Sequence, residues 1–291
     1  MPKIFTTIYD KILNDKKTRI LFFSIITLIC VAVISIGIYI EFFYQYSESD
    51  PLMIGINTGN QKTDEENNIL KNEFNSIFNN KFIGKTSEIR LEKLQLDKEI
   101  IYTRYNLNNE DENYYQIDLK IPMLNINTEA AQKINEEIKK EFYDNANNIM
   151  RAMDGYTIYN ASFASYINDN IISIVVKSTL KEDGKNERLI VKTYNYNIST
   201  EEQINLDELI NIKQIDKKQV QSTIKKEIKK AYNNAKAIAE QYGSTYNRNL
   251  EDPMYEINNE TEFFITNDGN LYILYPYGNI EYTNEIDIVI F

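Results

Sequence analysis

Residues 20–40, ILFFSIITLICVAVISIGIYI, cover twenty-one positions without a charge. As a helix rising 1.5 Å per residue, the segment is roughly 30 Å long, about the thickness of a bilayer's hydrocarbon core. Fourteen of its residues are Ile, Leu, Phe or Val, each favouring insertion by about 0.3–0.6 kcal/mol. Ser24, Thr27 and Ser35 can return their hydroxyls to the helix backbone. A single transmembrane helix over 20–40 is therefore the expectation around which everything else is arranged.

The flanks give that helix a direction. The 19 residues before it contain Lys3, Lys11, Lys16, Lys17 and Arg19, and the 20 after it contain neither Lys nor Arg. Basic residues stay on the cytoplasmic side, so 1–19 is expected in the cytoplasm and the chain beyond 40 outside the cell membrane. A cleaved signal peptide has a shorter apolar run ending in small residues, whereas this one continues into Glu41-Phe42-Phe43-Tyr44. The anchor is expected to be retained. Ile4, Phe5, Ile8, Tyr9, Ile12 and Leu13 recur at helical spacing among the lysines, which predicts an amphipathic segment lying on the inner leaflet.

Composition narrows the chemistry. The only cysteine, Cys30, is in the apolar span, so the exported part has no disulfide of its own. There is no histidine, which excludes Ser-His-Asp and Cys-His catalysis and the usual zinc sites. No phosphate-binding glycine loop, dinucleotide fingerprint or EF-hand loop occurs. No catalytic, metal or cofactor residue can be assigned, and a non-enzymatic protein is expected. The net charge of −11 divides into +3 over residues 1–19 and −14 over the remainder. Such an acidic exterior disfavours nucleic acid and favours cationic partners.

Along the exported part, 41–62 reads as a polar stalk containing Pro51, Gly55 and Gly59. Residues 63–98 read as a helical connecting segment, opened by the capping box Thr63-Asp64-Glu65-Glu66. From 99 to 291 a single α+β domain is expected. Alternation at Ile101, Thr103 and Tyr105 and again from Tyr115 to Met123 predicts a hairpin with one buried face, ended by Pro122. Thr128 should cap a helix reaching Met153. Strands at 156–167, 171–180 and 188–198, joined by Asn168-Asp169-Asn170 and Asp183-Gly184, should form an antiparallel meander. Leu206, Leu209 and Ile210 mark a short helix. Asp216 caps a longer one, with Val220, Ile224, Ile228, Ala231, Ala235 and Ile238 inward, a lysine-rich face outward and Gly243 as its stop. Strands at 263–266, 271–275 and 286–291 close the chain. The sum is an antiparallel sheet with two long helices packed on one face.

Three stretches carry a further likeness: Ile117–Met123 with Asn135-Glu136-Glu137-Ile138; Thr193-Tyr194-Asn195-Tyr196-Asn197 with Ile204-Asn205-Leu206-Asp207-Glu208-Leu209; and Phe263-Phe264-Ile265-Thr266 with Asp268-Gly269 and Tyr275-Pro276-Tyr277. With this order of elements, residues 100–291 resemble the extracytoplasmic domain shared by lysozyme-sensing anti-sigma factors of the sigma-V type and the N-terminal part of wall polysaccharide deacetylases. The resemblance implies a sensor-like binding domain in the bacterial cell envelope, with lysozyme or peptidoglycan as ligand. Two alternatives accompany it: an anti-sigma factor that holds a sigma factor through its N-terminus and is released by regulated proteolysis, and a carboxylate-based wall hydrolase. Aromatics near the terminal hairpin, Tyr275, Tyr277 and Tyr282, are the candidate ligand-binding residues.

Overall fold

The computed structural model describes residues 69–84, 94–96, 98–153 and 155–291, the backbone of 53–55, and the isolated positions 20 and 27. The chain divides into two units, Met1–Asp50 and Pro51–Phe291, and the second holds the described fold. The amphipathic segment 1–19, nearly all of the span 20–40 and the capping box at 63–66 lie outside the described residues. Among those that are described, no helix is long and apolar enough to cross a membrane.

Among the described residues, eleven strands, β1 (Met53–Gly55), β2 (Lys81–Ile83), β3 (Ile101–Asp111), β4 (Tyr115–Leu124), β5 (Thr157–Asn168), β6 (Ile171–Glu182), β7 (Arg188–Asn197), β8 (Glu202–Gln203), β9 (Glu262–Ile265), β10 (Leu271–Pro276) and β11 (Ile286–Ile290), form two sheets. The larger runs β3-β4-β5-β6-β7-β8. Its β5-β6-β7 meander is antiparallel and turns where the sequence places turns, through Asp169 at φ +52° and Gly184 at φ +69°. The smaller sheet runs β1-β11-β10-β9.

Between β4 and β5 the chain crosses over through helices, so these two strands pair in parallel. The Thr128 hydroxyl accepts from the Ala131 N–H and starts α1 (Glu129–Ile138). A π-helical turn, Lys139–Asp144, leads into α2 (Asn145–Ala152). Buried Ala131, Ile134, Ile138, Phe142 and Ala146 account for the wide turn. Successive steps of four residues overshoot a 3.6-residue turn by about 40° each, and the π turn realigns the stripe with the sheet. Met153, expected on that stripe, is exposed because it is the left-handed residue that ends the helix.

The expected packing, two long helices on one face of one sheet, does not hold. Three buried clusters define four layers. Residues of α1 and α2 pack on one face of the larger sheet, through Ile117, Leu119, Phe163 and Ile174. The opposite face, with Tyr166, Val175 and Val191, packs on the smaller sheet through Phe264, Tyr272 and Ile288. The outer face of the smaller sheet is covered by α3 (Leu206–Ile212) and α4 (Lys217–Gln241). The cause is visible in the strands. Ile171–Val176, Leu271–Pro276 and Ile286–Ile290 are buried at every position, and a strand buried on both faces needs a layer on each side. At the centre, Phe264 stacks between Tyr166 and Tyr272, with ring centroids 5.7 and 4.5 Å away.

Three further expectations are corrected. The stalk over 41–62 includes β1, which pairs in parallel with β11. The segment over 63–98, expected to be helical, includes the strand β2, which pairs with Ala164–Tyr166 of β5, and its Phe74 enters the core between the sheets. Pro122 does not end its strand; it lies inside β4 opposite Thr103, where the β3 register slips at a bulge that accommodates the missing donor.

Helix α4 begins at the Asp216 cap, and Gly243 follows its end at φ +69°. Its buried stripe stops at Ala235, leaving Ile238 exposed. Replacing fully buried Ile224 by Asp should unfold the domain, since an unpaired charge there costs several kcal/mol. Lys226→Asp on the exposed face should change stability by no more than about 0.5 kcal/mol. Comparable losses in urea titrations of the two variants would show the helix to be rotated otherwise.

Candidate functional site

The site is built on the outer edge of β7. Along its inner edge β7 pairs with β6, but on the outer edge β8 reaches only Tyr196 and Asn197. An open edge invites pairing with another chain, and here it is closed by side chains and loops. Leu189 donates its N–H to the Thr283 carbonyl at 3.0 Å. The Asn279 amide takes the place of a strand residue: its Oδ1 accepts from the Val191 N–H at 3.2 Å and its Nδ2 donates to the Val191 carbonyl at 2.9 Å. Glu262 closes the next position, accepting from the Thr193 N–H at 2.7 Å, the Thr193 hydroxyl at 2.8 Å and Lys192 Nζ at 2.9 Å.

The alternation in Thr193-Tyr194-Asn195-Tyr196 sorts these residues between two environments. Tyr194 and Tyr196 face the helical layer, where they join the core under α1. Thr193 and Asn195 face the smaller sheet. Asn195 donates to the Phe263 carbonyl at 2.8 Å and accepts from the Ser173 hydroxyl at 2.6 Å, which itself accepts from the Ile265 N–H at 3.1 Å. This polar seam holds the end of β9, and with it Glu262, against β7.

Over this edge opens a cleft of about 1020 Å³. Its walls include Glu137 of α1, Glu141 of the π turn, Lys192 and Tyr194 of β7, and Glu260 and Glu262 beside β9. Burial works against the charge on Lys192, but Glu262, helped by Glu141 and Glu260, outweighs it and holds the ammonium pKa above its usual value. Tyr194 is 6 % exposed. Burial, reinforced by the charges of Glu262, Glu141 and Glu137, pushes its phenol far above the ordinary tyrosine range. It is a permanent neutral hydroxyl. No hydrogen bond to it is formed by any of the described residues.

Of the three tyrosines expected from sequence, Tyr275 lines this cleft, whereas Tyr277 and Tyr282 do not. Tyr275 and Tyr277 are buried in the core under α4, at 2 % and 0 % exposure, while Tyr282 is 66 % exposed beneath the Arg188 guanidinium. They do not share a surface. Tyr277 belongs to a second polar centre, donating to Asp287 Oδ2 at 2.8 Å and sharing a hydrogen bond with the Tyr255 hydroxyl at 2.9 Å. Arg248 lies 3.9 Å over the Tyr277 ring and pairs with both Asp287 and Glu285. Enclosed by the core, this centre is structural. Among the described residues, no three His, Cys, Asp or Glu are grouped to hold a metal ion.

No family model matches the chain, and no curated protein matches it. Solved structures that it is similar to include a DUF3298 family protein from Pseudomonas aeruginosa PAO1, at 12% identity and a TM-score of 0.34, over 62% of this chain and 84% of that one. A second is a DUF3298 family member from Bacteroides fragilis NCTC 9343, at 13% identity and a TM-score of 0.25, over 58% of this chain and 83% of that one.

Proposed function

We propose that this protein is a non-catalytic binding protein of the bacterial cell envelope, anchored by residues 20–40 and presenting the cleft over β7 to ligands outside the membrane. The observation that carries the reading is a preformed cleft. Asn279 and Glu262 occupy the hydrogen-bonding positions that an added strand would need, so a ligand meets fixed side chains rather than a free sheet edge. The carboxylates on the walls, together with the −14 charge beyond residue 19, suit a cationic ligand through both encounter rate and contact. Lysozyme and cell-wall material are the candidates, in keeping with the resemblance of residues 100–291 to envelope sensor domains.

The test is retention of lysozyme and of wall fragments by the full-length chain in detergent. The comparison variant, Asn259→Arg with Glu260→Arg, fills the cleft mouth at two exposed loop positions. Wild type should retain one of the two ligands, and the variant at least tenfold less. Equal retention by both proteins would overturn the cleft as the site. Absence of retention by wild type would overturn the ligand assignment.

A further inference from the structure

We infer that two copies of this protein pair antiparallel through the outer edge of β3, centred on Leu107, so that the larger sheet continues across a two-fold axis. β3 is the terminal strand of that sheet, and no described strand lies beyond it. Its outward backbone groups follow from the neighbouring ladders. Thr157 donates its N–H to the Tyr114 carbonyl at 2.9 Å where β4 meets β5. Tyr114, Gln116 and Asp118 therefore turn to β5, and Tyr115, Ile117 and Leu119 turn to β3. From Tyr105 opposite Ile121 to Asp111 opposite Tyr115 the β3–β4 register is unbroken. Leu107 and Asn109 thus bond to β4, while Asn106, Asn108 and Glu110 point their N–H and C=O groups outward. No described residue takes up those groups.

Other edges of the described fold are short or closed. β1, β2, β8 and β9 span only two to four residues, and Asn279 and Glu262 cap the edge of β7. β3 runs for eleven residues without a lysine or a proline, two common devices for keeping an edge unpaired. Its bulge is confined to Thr103–Tyr105. The residues of the edge select a second copy as its occupant. Turned antiparallel about Leu107, the strand sets Arg104 opposite Glu110 of the other copy, and does so at both ends. Both residues are exposed, and neither forms an ion pair among the described residues. Opposite charges directly across a ladder stabilise it, and like charges oppose it. Asn106 falls opposite Asn108, where the two amides can exchange hydrogen bonds. Leu107, half-buried against the core under α1, falls opposite itself. Centring one residue earlier puts Arg104 opposite Asn108, and one later puts it opposite Glu112 in the turn beyond β3. Only the Leu107 centre joins the opposite charges within the strands. The cleft stays free, because β7 lies toward the other end of the strand order.

The experiment combines sedimentation and oxidative cross-linking of the full-length chain in detergent. Wild type should sediment as a dimer. Arg104→Glu and Glu110→Arg should each weaken it tenfold or more, and the double reversal Arg104→Glu, Glu110→Arg should restore it. Restoration separates the β3 edge from any association of the apolar residues 20–40, which these changes do not touch. For cross-linking, Cys30→Ser first removes the native thiol. Leu107 then lies opposite its own copy at a non-hydrogen-bonded position, where Cα atoms approach to about 4.5 Å, within reach of a disulfide. Leu107→Cys should cross-link at least tenfold faster than Asn109→Cys, whose opposite number is Tyr105. If Leu107→Cys fails to fold, the charge reversals decide, since both positions are exposed. The pairing is overturned by a monomeric wild type, by single reversals without effect, by a double reversal no better than the singles, or by equal cross-linking at 107 and 109. Any of these results alongside retained lysozyme or wall fragments would leave the cleft as a ligand site and remove only the dimer.

Discussion

Arg248→Met is expected to destabilise the domain by about 3–5 kcal/mol at neutral pH, the cost of stranding a buried charge. Asp287 is fully buried on β11, the only acidic residue in a strand that otherwise reads Ile, Ile, Val and Ile. Arg248 and the Tyr277 hydroxyl serve its Oδ2, and Oδ1 has no hydrogen-bond partner among the described residues. Without Arg248 the carboxylate keeps one neutral donor. The double variant Arg248→Met, Asp287→Leu should recover much of the loss, because neither charge is then buried.

The same centre predicts an unusual pH dependence. Burial on every side outweighs Arg248 and Tyr277 and pushes the Asp287 carboxyl up to about 6, against about 3.9 in an unfolded chain. The folded state therefore holds this proton more tightly than the unfolded state does. The resulting stabilisation is complete below pH ~4 and is lost as pH rises through 6. It amounts to at most on the order of 3 kcal/mol. The stability of wild type relative to Asp287→Asn should thus fall between pH 4 and 7 and be flat above. Arg248→Met should cost less at pH 4, where the stranded carboxyl is neutral, than at pH 7. Urea titrations across this range check both. A loss from Arg248→Met below about 1 kcal/mol at pH 7, or a stability of wild type relative to Asp287→Asn that rises with pH, would show that the centre is not a buried ion pair of this kind.

Local chemistry was readable from sequence, and layer assignment was not. Thr128, Asp216, Gly243 and the two meander turns act through their immediate neighbours, and each does what its type and position imply. The number of layers depends on whether a strand is covered on one face or two. The runs at Ile171–Val176 and Leu271–Tyr275 carried that signal in their unbroken burial, but alternation elsewhere suggested one buried face. The site was illegible for a different reason. Thr193 meets Glu262 across 69 residues of sequence and Val191 meets Asn279 across 88, and no local pattern records such pairings. Tyr277 misled because an aromatic in a Pro-Tyr-Gly turn reads as exposed. The lone Asp in Ile-Asp-Ile-Val-Ile was the clue that something polar had to fold inward to meet it.

The Pro-Tyr-Gly turn is also where the smallest substitution should do great damage. Gly278→Ala is expected to cost on the order of 3–5 kcal/mol, from overpacking together with lost hydrogen bonds. Space rather than backbone conformation requires the glycine. A Cβ there would lie 1.8 Å from the Leu189 carbonyl oxygen and 2.3 Å from that of Thr283. Both are backbone atoms, held together by the Leu189 N–H bond to Thr283, so neither can swing aside. Room can come only from lifting residues 277–279 away from β7. That movement breaks the two bonds between Asn279 and Val191 and the bond from Arg188 to the Gly278 carbonyl. The edge of β7 would then be uncovered beside the cleft, so the variant should gain a tendency to associate through the bared strand. Gly184→Ala is the control. Gly184 has φ +69° but open space around its Cα, and alanine there should cost only about 1–2 kcal/mol. Equal urea midpoints for the two variants would mean that the turn does not press on β7, and that something other than Asn279 closes the strand's edge.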